Sequence, residues 1–193
     1  MSDPTATRRA DWQRSRERLL AAASDVVRRD GARASLEEIA RQAGVGSATL
    51  HRHFASREML LSEVFEQEVL RLADRGRELA DAAASDGLSV WLDELVRYTA
   101  ATRGLAVTLR LGGRDGACYR AVAEVAERLA ANAAAEGRLR TDVTAEDLLA
   151  IANGVAIQAE ERPDFAARLL HIALDGAVPT EQSAADGPVL SRR

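Results

Sequence analysis

Residues Ser35–Glu58, SLEEIARQAGVGSATLHRHFASRE, decide how this chain is read. They predict two short helices joined by a tight glycine turn, then the start of a third. Ser35 stands where a hydroxyl can accept the backbone N–H three residues on. Glu38 stands where its carboxylate can reach back, completing a capping box. Leu36, Ile39, Ala40 and Ala43 recur at helical spacing and define one inward face. Gly44 supplies the left-handed backbone that ends the helix. Val45 is the one apolar residue inside the turn and plugs the space between the helices. Gly46 takes the N-cap place of the next helix. A unit of this kind holds its second helix in a DNA major groove.

That second helix is expected over Ser47–Phe54. Leu50 and Phe54 are four apart and face inward together, which turns Ser47, Ala48, Thr49, His51, Arg52 and His53 elsewhere. Small side chains let a helix backbone approach base edges, and hydroxyls and imidazoles suit phosphates. Ser47, Ala48 and Arg52 are therefore the candidates for base edges. Ser35, Thr49, His51, His53 and Arg57 are the candidates for phosphates. Ser56 caps the third helix, and Arg57 lies in its first turn, where the helix N-terminus also attracts anions.

The matching positions run through the stretch in fixed register: Ser35, Ile39-Ala40, Ala43-Gly44-Val45, Thr49-Leu50, His53-Phe54 and Arg57-Glu58. A helix over Asp11–Asp30 and a stop at Gly31 precede them. On these residues the chain resembles the TetR family of transcriptional regulators, strongly over about residues 11 to 60 and elsewhere only in helical layout. The resemblance implies an all-α fold, a small-molecule pocket in the body, and a homodimer formed by the last two helices as a four-helix bundle. Two positions depart from the family pattern: His51 stands where tyrosine is usual and Arg57 where lysine is usual. Arginine keeps the charge and adds a fork, whereas histidine adds a titratable group. DNA affinity is accordingly expected to rise as pH falls through about 6.5.

Composition bounds the alternatives. All 26 basic residues among the 193 are arginine, which leaves no lysine for a phosphate loop or a Schiff base. A single cysteine, Cys118, excludes an internal disulfide framework and points to the cytoplasm. No signal-peptide pattern and no apolar run of membrane-spanning length is present. Residues 1–57 hold 11 arginines against 7 acids, and the rest 15 against 23, for a total charge of −4. DNA binding by such a chain has to be local to its basic end.

The expected organisation is a disordered arm over 1–10, a helix-turn-helix domain over 11–58, a ligand-binding and dimerisation domain over 59–179, and a disordered tail over 180–193. Arg8 and Arg9 form either a basic arm on DNA or a solvated terminus. Arg14, Arg16 and Arg18 read as solvated, with contact of one of them to a backbone phosphate as the other reading. Beyond the reader, helices are expected over Ser56–Ala84, Leu88–Thr102, Leu105–Leu111, Ala117–Glu136, Thr144–Glu160 and Asp164–Asp175, about nine in all, with no strand. Trp91, Leu95 and Tyr98 lie on one helix face, and Thr102, Leu109, Cys118 and Val122 come from neighbouring segments. Together they read either as an effector pocket with Tyr98 as its polar anchor or as ordinary core. Leu148, Ile151, Asn153, Val155, Leu169, Leu170 and Ile172 are the interface candidates, with a pocket hydrogen bond as the other reading of Asn153. His51 and His53, two apart on a helix, diverge too far to share a metal, and no metal or other cofactor is expected. The sequence thus predicts a non-enzymatic, ligand-responsive regulator, most simply a repressor on a palindromic operator. A helical small-molecule carrier or enzyme is the alternative.

Overall fold

The computed structural model describes residues 4–102, 116–159 and 162–178. These form eight α-helices: α1 (Pro4–Asp30), α2 (Leu36–Ala43), α3 (Ser47–His53), α4 (Arg57–Asp81), α5 (Gly87–Ala101), α6 (Ala117–Ala135), α7 (Ala145–Ala159) and α8 (Pro163–Asp175). A short 3₁₀ turn, Gly31–Arg33, follows α1. The helix expected over Leu105–Leu111, Leu109 with it, and the tail expected over 180–193 lie outside the described residues. No described helix is long and apolar enough to cross a membrane.

Pro4–Ala10 is helical, which corrects that part of the disordered arm expected over 1–10, and residues 1–3 lie outside the described residues. Proline at a first helical position loses no hydrogen bond, because that N–H has no intrahelical partner in any case. Inside α1, Arg16 and Arg18 are also not simply solvated. Arg16 pairs with Glu63 of α4 at 2.5 Å, and Arg18 donates to the carbonyls at the end of α2.

Two apolar cores organise the chain. The first gathers Leu19, Ala23 and Val26 of α1, Ile39 and Ala43 of α2, Leu50 of α3, Phe54, and Leu60 and Val64 of α4. The second gathers Phe65, Val69 and Ala73 of α4 with Trp91, Leu92 and Leu95 of α5, Val125 and Leu129 of α6, Leu148 of α7 and Leu170 of α8. The 25 residues of α4 therefore serve both. Leu148 and Leu170 are 1% and 0% exposed, so both are committed to the chain's own core and offer nothing to a second copy. That corrects two interface candidates: α5 packs against both α7 and α8, and the inward stripe of each helix is used there.

The capping box expected at the start of α2 forms only in part. The Ser35 hydroxyl does accept the Glu38 N–H, at 3.4 Å, but the Glu38 carboxylate is taken by a bidentate pair with Arg41 at 2.7 and 2.8 Å. A charge-assisted pair outcompetes a neutral backbone donor. At α7 no arginine among the described residues pairs with Asp147, and the reciprocal box is complete. Thr144 N–H reaches Asp147 at 2.9 Å, and Asp147 N–H reaches the Thr144 hydroxyl at 3.1 Å.

Among the described glycines the closest approach is at Gly76 of α4. An added Cβ would stand 2.6 Å from the Trp91 indole nitrogen and overlap Val125. The absent side chain lets Trp91, 0% exposed, donate its N–H to the Leu72 carbonyl at 2.9 Å. Glycine costs about 1 kcal/mol in a helix interior, which this contact offsets. Gly76→Ala should lower unfolding free energy by about 1–3 kcal/mol through overpacking. Denaturant titration checks this, and unchanged stability would show that α4 and α5 can separate without loss.

Candidate DNA-contacting surface and receiver core

The turn between α2 and α3 is built as its sequence requires. Gly44 has φ 64° and ψ 38°. Its N–H reaches the Arg41 carbonyl at 3.1 Å, and Val45 N–H reaches Ala40 at 3.0 Å, the paired bonds of a Schellman stop. Arg18 of α1 then binds the Ala43 and Gly44 carbonyls, the latter at 3.0 Å. Helix α1 thus fixes the exit of α2 and, through it, the direction of α3. Gly46 carries no side-chain cap, and its carbonyl receives Thr49 N–H at 2.9 Å.

On α3, Leu50 is buried while Ser47, Ala48, His51 and Arg52 are exposed and Thr49 is half-buried. Arg52 donates to the Thr49 hydroxyl at 3.3 Å. Arg57 sends its Nε–H to the Ala34 carbonyl at 3.1 Å, which sets it beside Ser35 at the start of α2. The Ser35 hydroxyl donates to Glu37 at 2.6 Å, and this bond holds the Glu37 carboxyl below the usual carboxylate range, with His51 adding to the effect. Ser35, His51 and Arg57 are thereby brought to one side of the reader.

His53 departs from expectation. Its ring lies 3.7 Å from that of Trp12, at 35°, and 6.3 Å from Phe54. Both ring nitrogens are covered and have no hydrogen-bond partner among the described residues. Burial pushes the imidazole below its ordinary pKa, and the Arg16 and Arg52 charges push it further. In this arrangement His53 has no nitrogen to offer a phosphate. It is a platform for α1, and the phosphate role expected for it is corrected. Trp12 was legible as a contact, since it stands seven residues before Leu19 and continues the inward stripe of α1 by two turns.

The body candidates divide as well. Trp91, Leu95 and Val122 are buried in the second core. Thr102 donates its hydroxyl to the Tyr98 carbonyl at 2.6 Å, so it serves the helix end. Cys118 is half-buried, and its thiol is pushed up by burial and then by Glu66. Tyr98 stacks on Phe65 with ring centroids 6.0 Å apart. Its hydroxyl is buried without a partner among the described residues, and burial followed by the Glu68 carboxylate raises its pKa.

Glu68 is the residue that sequence reading missed. It is 8% exposed on α4 and faces α1. Ser24 donates to it at 2.6 Å, Arg71 pairs with it at 3.1 Å and Arg28 at 3.5 Å. Nearby, Gly31 at the end of α1 sits so close to α5 that a Cβ would stand 2.6 Å from the Ala101 carbonyl oxygen. The reader touches the body here through a buried carboxylate and a backbone contact.

Comparison with known proteins agrees with this layout. Residues 19–64 match the family model described as bacterial regulatory proteins, tetR family. Residues 83–179 match the model of the C-terminal domain of SbtR-like transcriptional regulators. A TetR transcriptional regulator from Streptomyces coelicolor is 36% identical over 86% of this chain and 99% of its own, with a TM-score of 0.65. The chain belongs to the TetR family of transcriptional regulators. A second TetR regulator, from Mycobacterium vanbaalenii, is 30% identical over 89% of this chain and 99% of its own, with a TM-score of 0.62. The regulator FadR from Bacillus subtilis, whose crystal structure holds stearoyl-CoA, shares the fold at 16% identity, with a TM-score of 0.50 over 83% of this chain and 98% of its own. Comparison with curated proteins gives no match.

For this TetR regulator the His53 environment has a measurable consequence. The folded pKa is below the unfolded value, so the unfolded chain binds the extra proton and stability falls with falling pH. Thermal melts from about pH 7.5 down to about pH 5.5 should show wild type losing stability below about 6.5, with a smaller loss for His53→Phe. Parallel pH profiles would remove His53 as the cause.

Proposed function

We propose that this TetR-family protein is a homodimeric, non-enzymatic repressor that leaves a palindromic operator when a small molecule binds its body. The observation that carries the reading is α3, whose outward face is Ser47, Ala48, His51 and Arg52 while Leu50 and the Arg18-braced turn hold it in place. Ser47, Ala48 and Arg52 read base edges in this scheme. Ser35, His51 and Arg57 hold phosphates on the side where the α2 N-terminus lies, and Thr49 holds one on the side facing α1.

The dimer reading rests on exposed apolar surface on the last two helices. Ile151, Ile157 and Ile172 are 36%, 43% and 63% exposed, and Asn153, Val155 and Leu169 are half-buried beside them. A Cβ at Gly154 would meet nothing within 4 Å, so no contact among the described residues explains a glycine there. A second copy crossing at Gly154 does. Two-fold symmetry then sets half-sites about 34–36 Å apart. Ile157→Asp with Ile172→Asp should yield monomers by sedimentation. Operator affinity should fall roughly a hundredfold or more, because paired binding units raise avidity by that order. A variant that stays dimeric would move the interface elsewhere.

In this scheme the effector binds in the body beside Tyr98, whose hydroxyl has no partner among the described residues and would bond a polar group of the ligand. Ligand and operator oppose each other by the same coupling factor, through α4 and the Glu68 junction. Selection of fragmented genomic DNA by the purified protein at physiological salt tests the whole reading. Enrichment of a short palindrome supports it, and no enrichment returns the carrier or enzyme alternative to first place.

A further inference from the structure

An open hollow of about 640 Å³ separates the first turns of α1 from α3. Arg8, Arg9 and Trp12 line it from α1, and Thr49, Arg52 and His53 from α3. The one carboxylate on its wall, Asp11, is paired with Arg14. Arg8 and Arg9 differ from the other arginines of α1. Arg14, Arg16, Arg28 and Arg29 each pair with a carboxylate, and Arg18 braces the turn, whereas neither Arg8 nor Arg9 pairs with one among the described residues. They precede Trp12 by four and three residues, so all three share a helix face. Trp12 on His53 therefore fixes where these two charges point, beside the exposed Arg52.

We propose that this hollow seats the sugar-phosphate backbone of duplex DNA just outside the base pairs read by α3, with Arg8 and Arg9 contacting phosphates. The proposal rests on the reader assignment above. Continuity with α3 and the charge of the walls favour DNA over any other occupant. A protein carrying a net charge of −4 gains most from cations placed where the duplex already lies. Trp12 and His53 replace the missing imidazole–phosphate bond with a stacked hinge that delivers two guanidinium groups. The operator footprint is consequently longer than the bases that α3 can reach.

The test uses the full-length protein and the operator duplex recovered by selection. Binding is followed by fluorescence anisotropy across a salt series and by hydroxyl-radical footprinting. Arg8→Ala with Arg9→Ala removes four charges per dimer and should flatten the slope of log K against log salt by about 3 to 4, at about 0.9 per phosphate. It should also expose the outermost protected nucleotides and leave base preference unchanged. Trp12→Ala should expose the same nucleotides. Melting of each variant confirms that it is folded. An unchanged salt slope and footprint in the double variant would overturn the proposal while leaving the reader intact, and a changed base preference would equally overturn a backbone role. Failure of wild type to select any duplex would take the reader assignment down and this inference with it.

Discussion

Helix α4 is buried in two cores at once, and the rest of the structure depends on that. Leu60 and Val64 complete the packing of α1, α2 and α3, and one residue later Phe65 begins the packing of α5 and α6. No hinge separates the two sets, because the helix runs unbroken from Arg57 to Asp81. Gly76 locks the far half by admitting Trp91 to the Leu72 carbonyl, and Glu68 locks the near half to Ser24 of α1. A shift of the body relative to α4 therefore reaches the reader through rigid contacts, which a flexible linker would absorb.

The all-arginine basic set gives the reader its precision. Planar forks suit fixed bidentate and carbonyl contacts better than a compact ammonium. Arg18 braces the turn, Arg16 spans Phe54 and Glu63, and Arg57 ties α4 to Ala34. Arg8, Arg9 and Arg52 sit on the hollow. Many of the exposed pairs add little to stability individually. The buried end of one, Glu68, matters because its carboxylate would otherwise stand desolvated.

Much of this was legible in the sequence, and the failures have physical causes. The Ser35–Glu58 pattern placed the turn, the cap and the inward Leu50 and Phe54 correctly, since those features are local. The reach of Glu38 failed because Arg41, three residues on, competes for it. His53 failed as a phosphate ligand because Trp12, 41 positions earlier in the sequence, covers it. Leu148 and Leu170 were placed on an interface because apolar spacing does not say which neighbour a helix faces, and α5 is that neighbour. Glu68 and Gly76 carry no sequence signal beyond standing among apolar positions of α4. Only the packed structure shows that one is a junction and the other a close approach.

The central claim is that α4 makes reader and body one mechanical unit. Hydrogen exchange of the full-length protein, with and without its operator duplex, tests this most directly. The account predicts that operator slows exchange in α3 and also in α4 from Phe65 to Ala73 and at the C-terminal end of α5 near Ala101. Slowing confined to α1, α2 and α3 would contradict it, and would mean that the body does not sense whether the reader is on DNA.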